Sequence, residues 1–400
     1  MLNITDKSVE DKITPILRLG FRPFFLLGSV YSVIAIGIWI YAFQHGQPAQ
    51  LRVPALWWHV HEMFFGFAMS IVAGFLLTAV QNWTGVHGTK DKWLGVLVTL
   101  WVLPRVLLWT DTPLWLTSSI EALFLGLVAY EISVRVVKVK GYRNLFFLPL
   151  FVLAIVANFA SYAMIKGMPP FSPITVWQAM LWWFVLIISI MGGRVIPFFT
   201  ARRFNFDKPE TLLWLDAAAN LPLVLLFALS FFPLTSAQLS PAIMGFAAIM
   251  QVTRWLRWKP WSTLKEPLVW SLHLTYACIP LGLFIKALAD LNFISNGLFV
   301  SHNMLHVIAI GAIGGLILSM ISRVTMGHTG RMIYQGPRMW LAFAAIVFAA
   351  LIRSFGVAFF PQHMLLMVNA AAALWIIGFS LFVLKFGSML LRPRADGHPG

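Results

Sequence analysis

Ten histidines run through the 400 residues, and their spacing is the first sign of chemistry. His59 and His61 stand in Trp58-His59-Val60-His61-Glu62-Met63, and His302 and His306 in Ser301-His302-Asn303-Met304-Leu305-His306. A neutral imidazole is a common ligand for copper, iron and zinc. Residues four apart share a helix face, so His302 and His306 can grip one metal ion or serve adjacent sites. His59 and His61 point about 200° apart around a helix and do not easily serve one centre. His59 and Glu62 share a face, which lets the carboxylate hydrogen-bond an imidazole or offset a cation. His273, His87 and His328 form a second set, accompanied by Arg194 and Arg323. The bland alternative for each is a hydrogen-bonded core histidine. His45 and His398 lie in polar ends, and His363 opens the last apolar run.

The elements that carry these residues are membrane helices. Hydrophobic residues make up 60% of the chain and charged residues only 11%, against about 25% charged in soluble domains. Mean hydropathy is +0.82. A spanning helix needs roughly 20 mostly apolar residues. Such runs fall near 24–43, 59–80, 93–110, 115–137, 145–165, 176–199, 212–232, 240–258, 268–289, 298–321, 338–359 and 363–385. The expectation is an all-α, polytopic membrane protein of about twelve transmembrane helices. Residues 1–400 form a single transmembrane domain, with 1–23 an N-terminal cytoplasmic segment and 386–400 a cytoplasmic tail. The mixed charges of Asp6, Lys7, Glu10, Asp11 and Lys12 do not suit a cleavable signal peptide.

Lys and Arg in short loops mark the cytoplasmic side. Most of the 29 basic residues fall on alternate connections: Lys90 and Lys92; Arg135, Lys138, Lys140 and Arg143; Arg194, Arg202, Arg203 and Lys208; Arg254, Arg257, Lys259 and Lys265; Arg323, Arg331 and Arg338. The other side keeps Arg52, Lys166, Lys286 and Arg353. Both termini are therefore expected inside. The four histidines of the second and tenth spans then lie near the outer face, and His273, His87 and His328 near the inner one. The net charge of +15 is a topology signal that meets anionic lipid heads, not a nucleic-acid footprint. The single cysteine, Cys278, excludes an intramolecular disulfide and a multi-cysteine cluster.

Charged groups at membrane depth are expensive and mark function by default. Arg105 and Glu121 flank the turn at Asp111–Pro113 and read as a structural ion pair. Small residues recur at Gly66, Ser70, Gly74 and Thr78, and at Gly311, Gly315 and Ser319. Such stripes let helices approach closely or let a flat cofactor lie against them. The second and tenth spans also align without gaps, His61 on His302 and Gly74 on Gly315. That suggests a four- or eight-helix internal repeat. The plan is reminiscent of haem–copper oxidases, an analogy of fold alone; the sixth span has no histidine, so an oxidase is not expected.

At these residues the chain resembles the NnrS family, bacterial inner-membrane proteins linked to nitric oxide. The segments that carry the resemblance are Gly20-Phe21-Arg22-Pro23-Phe24-Phe25, Trp58-His59-Val60-His61-Glu62-Met63 and the run from Gly74 to Gly85. They continue with Gly193-Arg194-Val195-Ile196-Pro197-Phe198-Phe199-Thr200, Leu272-His273-Leu274, Gly311-Ala312-Ile313-Gly314-Gly315 and Gly327-His328-Thr329-Gly330-Arg331. The resemblance implies a protein that holds haem and copper and helps cells withstand nitrosative stress. His59, His61, Glu62, Arg194, His273, His306, Arg323 and His328 match its motifs. His302 rests on its spacing alone.

The leading expectation is a protein that binds nitric oxide at a histidine-ligated centre near the outer face. Haem ligation needs one or two histidines; His59, His61 and His306 are the candidates, with His302 assisting and His273 serving a second centre. Arg194 and Arg323 suit haem propionates, and Glu62 and His328 complete the cofactor-binding set. A twelve-helix secondary transporter is the first alternative. A quinol-linked nitric oxide reductase-like enzyme is the second. No Cys-x-x-Cys-His motif is present, so its electrons would come from quinol or a partner protein.

Overall fold

A lipid-facing backbone must satisfy its own hydrogen bonds, which leaves helices or closed barrels. In the computed structural model, which describes residues 6–165, 167, 172–291 and 301–400, every regular element is a helix. Each of the twelve apolar runs coincides with one. They are α1 (Phe21–His45), α2 (Ala55–Thr84), α3 (Asp91–Leu107), α4 (Leu114–Lys138), α5 (Phe147–Ile165) and α6 (Pro173–Phe204). The remainder are α7 (Leu213–Leu229), α8 (Pro233–Leu256), α9 (Pro267–Asp290), α10 (His302–His328), α11 (Trp340–Phe359) and α12 (Met364–Leu391). Among the described residues, 8 helices are long and apolar enough to cross a membrane unaided: α1, α2, α5, α6, α9, α10, α11 and α12. The chain is thus a multi-pass membrane protein. The other four helices are shorter or more polar; α4 carries Glu121, Glu131, Arg135 and Lys138. Lys166 and the first residues of the run at 298–321 lie outside the described residues.

The helices divide into two compact units. The first comprises Met1–Val176, Ile321–Gly336 and Phe382–Gly400, and the second Trp177–Met320 and Pro337–Leu381. In the first, α1 packs on α2, and α4 on α2, α3 and α5. In the second, α8 packs between α7 and α9, while α10 packs on α9 and α11.

The small-residue stripes are filled by neighbouring helices. A Cβ on Gly74 would lie 2.7 Å from Phe24 Cβ, and one on Gly311 would lie 2.7 Å from Cys278 Sγ. Thr78 Oγ1 accepts the backbone N–H of Phe21 at 2.8 Å, satisfying an orphan donor at the start of α1. These contacts favour the packing role over a cofactor laid against the glycines. Three helices also contain a widened π-type turn: Glu62–Ala68 in α2, Val307–Gly314 in α10 and Ile352–Gly356 in α11. Such turns concentrate at functional sites. In α2 and α10 a histidine, His61 or His306, immediately precedes the turn.

Candidate functional site

The π turn of α2 carries the densest polar chemistry in the first unit. His61 Nδ1 lies 2.8 Å from Glu62 Oε1, and its Nε2 lies 3.1 Å from Glu121 Oε2. The second contact is an ion-pair approach; no hydrogen bond forms on Nε2 among the described residues. Arg105 donates from Nε to Glu62 Oε2 at 2.9 Å, from Nη1 to the Trp101 carbonyl at 3.0 Å and from Nη2 to Glu121. Tyr31 Oη donates to Glu62 Oε2 at 2.5 Å. All four ionisable groups are buried. The expected Arg105–Glu121 pair is therefore present, enlarged by a carboxylate and an imidazole that the spacing did not connect to it.

The turn explains the geometry. Trp101 Nε1 donates to the Gly66 carbonyl at 2.9 Å, inside the segment where regular helix bonding is interrupted. The indole of Trp57 stacks on His61 at 4.4 Å and donates to the Ser161 carbonyl at 2.9 Å. A buried charge needs a partner in good geometry, and here each carboxylate serves more than one donor. With a neutral imidazole the four groups carry one net negative charge, and with an imidazolium none. The expected His59–Glu62 pairing is corrected. Glu62 opens the widened turn and binds its own neighbour His61, while His59 stacks on Trp39 of α1 at 4.4 Å.

In the second unit, His306 Nδ1 is 3.1 Å from the carbonyl oxygen of His302. A carbonyl only accepts, so Nδ1 carries the proton and the lone pair of the neutral ring lies on Nε2. That arrangement is usual for metal-ligating histidines. The His302 side chain is exposed. His273, on α9, is buried and places Nε2 2.8 Å from Thr200 Oγ1 of α6. Arg194 is half-buried in α6. Arg323 and His328 fall in the first unit. Arg323 Nη2 donates to Tyr334 Oη at 2.9 Å, and His328 packs on Phe21 with ring centroids 5.5 Å apart.

The model of the family described as NnrS protein matches residues 15–394. The chain belongs to the NnrS family. No curated protein matches it at a significant level.

Several NnrS motif residues prove to be architectural. Arg22 is fully buried and donates to the carbonyls of Leu390 at 3.0 Å, Arg392 at 2.8 Å and Gly400 at 2.8 Å. It ties the end of α12 and the tail to α1. The loop at Thr329 accepts from the Ala395 N–H at 3.0 Å. Gly193 lies against the guanidinium of Arg254, which leaves no room there for a Cβ. Arg254 pairs with Asp216 at 2.7 Å and donates to Ser189 Oγ and Tyr276 Oη, each at 3.1 Å. Gln251 and Asn220 extend this network. Sequence reading groups Arg254 with the basic residues of one connection, and only its place inside the apolar run at 240–258, three residues before Arg257, hints otherwise.

The donors present favour one of the two groups the NnrS resemblance implies. Among the described residues, no three His, Cys, Asp or Glu side chains gather to hold a metal ion. A haem brings four nitrogens of its own and asks the protein for one or two. A histidine whose Nδ1 is held by a carbonyl, as in His306, suits that demand. The described residues offer a copper ion no such cluster.

Proposed function

We propose that this NnrS-family membrane protein binds haem through His306 and handles nitric oxide at that centre, in the inner membrane of a bacterium. The supporting observation is the His306–His302 contact just before the π turn of α10, which puts the proton of the neutral ring on Nδ1 and the lone pair on Nε2. The haem supplies an iron that takes a diatomic gas. The protein's part is to orient the imidazole and shield the site. His59 is the second candidate ligand, and His302 lies beside the first. Arg194 and Arg323 are suited to propionates only of a separate haem, since Arg323 stands 17 residues along α10 from His306, about 25 Å away. His61 joins the ion cluster instead, because both its nitrogens face carboxylates.

In this reading the chain crosses the bilayer twelve times with both ends cytoplasmic, as the alternation of basic loops demands. The four helices that are short or polar alone are then carried by their neighbours. Nitric oxide is neutral and reaches the centre through lipid. The decisive experiment is an absorption spectrum with iron analysis on the purified protein. A Soret band that His306→Ala abolishes is expected. A colourless, iron-free protein overturns the reading.

The buried cluster around Glu62 and Glu121 favours a second possibility, a reductase that draws protons. Nitric oxide consumption that requires added quinol would establish it. Consumption that is absent with every donor leaves binding as the function.

A further inference from the structure

We infer that Arg353, held by Asn303, is the residue that binds a propionate of the haem on His306. The inference rests on the reading that His306 carries haem. Arg353 lies in the π turn of α11, Ile352–Gly356. That turn packs on the first residues of α10, Ser301–His306. Arg353 donates from Nη1 to Asn303 Oδ1 at 2.9 Å. Asn303 precedes His306 by three positions, and residues so spaced are neighbours on a helix surface, with Cβ atoms about 5–6 Å apart. The guanidinium is thus tied to α10 one turn before the proposed ligand. Propionates leave the rim of the macrocycle, not its centre, so a cation one turn from the axial histidine is placed to meet them.

The charge of Arg353 is not balanced by protein. Every Asp and Glu of the chain falls among the described residues, and none pairs with Arg353. Arg105 and Arg254 each have a carboxylate, whereas Arg353 has only a neutral amide. A cation at membrane depth is ordinarily paired or serves a ligand. Its Nε and Nη2 make no hydrogen bond among the described residues, and the protein does not enclose them. A planar fork with open N–H groups suits a carboxylate. The side chain is half-buried, so the carboxylate has a way in.

The test uses the full-length protein, made without haem and purified in a phosphate-free sugar detergent. It is titrated with haem b and with haem b dimethyl ester, whose propionates are capped, and the Soret band reads binding. The readout is the ratio of the two affinities, compared between variants, which cancels the ester's own greater affinity for detergent. Arg353→Gln should lower the preference for haem over ester at least about ten-fold, the scale of one charge-assisted hydrogen bond. Its affinity for the ester should stay that of wild type, which shows the site intact. Asn303→Asp gives the guanidinium a carboxylate of its own and should likewise weaken haem but not ester. His306→Ala should lose both. The same ratio in wild type and Arg353→Gln overturns the inference and leaves haem on His306 standing. Lipid phosphorus that co-purifies with wild type and is lost from Arg353→Gln, with the ratio unchanged, assigns the guanidinium to a headgroup and overturns it too. A protein that shows no Soret band with either compound sinks the haem reading, and this inference with it.

Discussion

His61 Nδ1 stands 2.8 Å from Glu62 Oε1, its own neighbour in the chain. Adjacent helical residues ordinarily point apart, so the contact is the product of the widened turn that begins at Glu62. It draws one carboxylate between an imidazole and a guanidinium, and it changes what substitutions here should do.

Removing one acid from the cluster should cost more than removing a pair. Glu121→Ala leaves Arg105 and His61 facing one carboxylate, and breaking a buried pair typically costs about 3–5 kcal/mol. Replacing Arg105 and Glu121 together by Met should cost less than the two single changes added. A double-mutant cycle by reversible unfolding in mixed micelles measures the coupling. Simple additivity would mean that the cluster is not one unit.

Spectroscopy separates the two histidines that precede π turns. His61→Ala should lower stability and leave the Soret band in place. His306→Ala should remove the band with a smaller stability loss. The opposite pattern would transfer the haem to the first unit.

Gly193→Ala should unseat Arg254. The added methyl occupies the place of the guanidinium and pushes it from Asp216, whose side chain is 36% exposed, so the loss should fall below the about 3–5 kcal/mol of a fully buried pair. Arg254→Ala on the same background should cost little more, since the pair is already gone. Thermal unfolding of the wild type and the two variants checks this.

Arg22→Lys should free the tail. A compact ammonium cannot reproduce a planar fork that reaches several carbonyls. Losing one charged hydrogen bond of about 1.5 kcal/mol corresponds to roughly ten-fold more opening. Trypsin cleavage at Arg392 and Arg394 should accelerate accordingly, with the rest of the chain unchanged.

Acidity should act on the tail through two groups of opposite sign. Hydrogen bonds from Arg394 hold the Asp396 carboxyl down to about 2. Its contribution is present above the ordinary carboxylate range and is lost as pH falls through about 2. Burial instead pushes the Glu10 carboxyl up, so its contribution is present at low pH and fades as pH rises through the raised value. Hydrogen exchange at Ala395, corrected for intrinsic rates, should therefore show greatest protection on the acid side of neutrality. Asp396→Asn should abolish the loss near pH 2.

Much of the architecture could be read from the chain. Hydropathy placed its apolar runs on helices among the described residues, eight of them long and apolar enough to cross a membrane, because such runs in lipid must satisfy their own backbone. Arg105 and Glu121 were paired correctly from their places beside one turn. What could not be read were contacts that depend on a break in helical periodicity. His59 and Glu62 share a face only while the helix stays regular, and it does not. The Arg254 network was hidden for a different reason. Its members Ser189, Asp216, Gln251 and Tyr276 are scattered over four helices, and no local spacing signals their meeting.

The π turn of α2 has one more consequence. Each residue advances a regular helix by about 100°, so a single extra residue resets the angular phase of everything beyond it. Upstream of the turn, His61 is aimed at α4. Downstream, Gly74 and Thr78 are aimed at α1. Deleting one residue between 62 and 68 would rotate these halves against each other by that angle, and one helix could no longer face two partners at once.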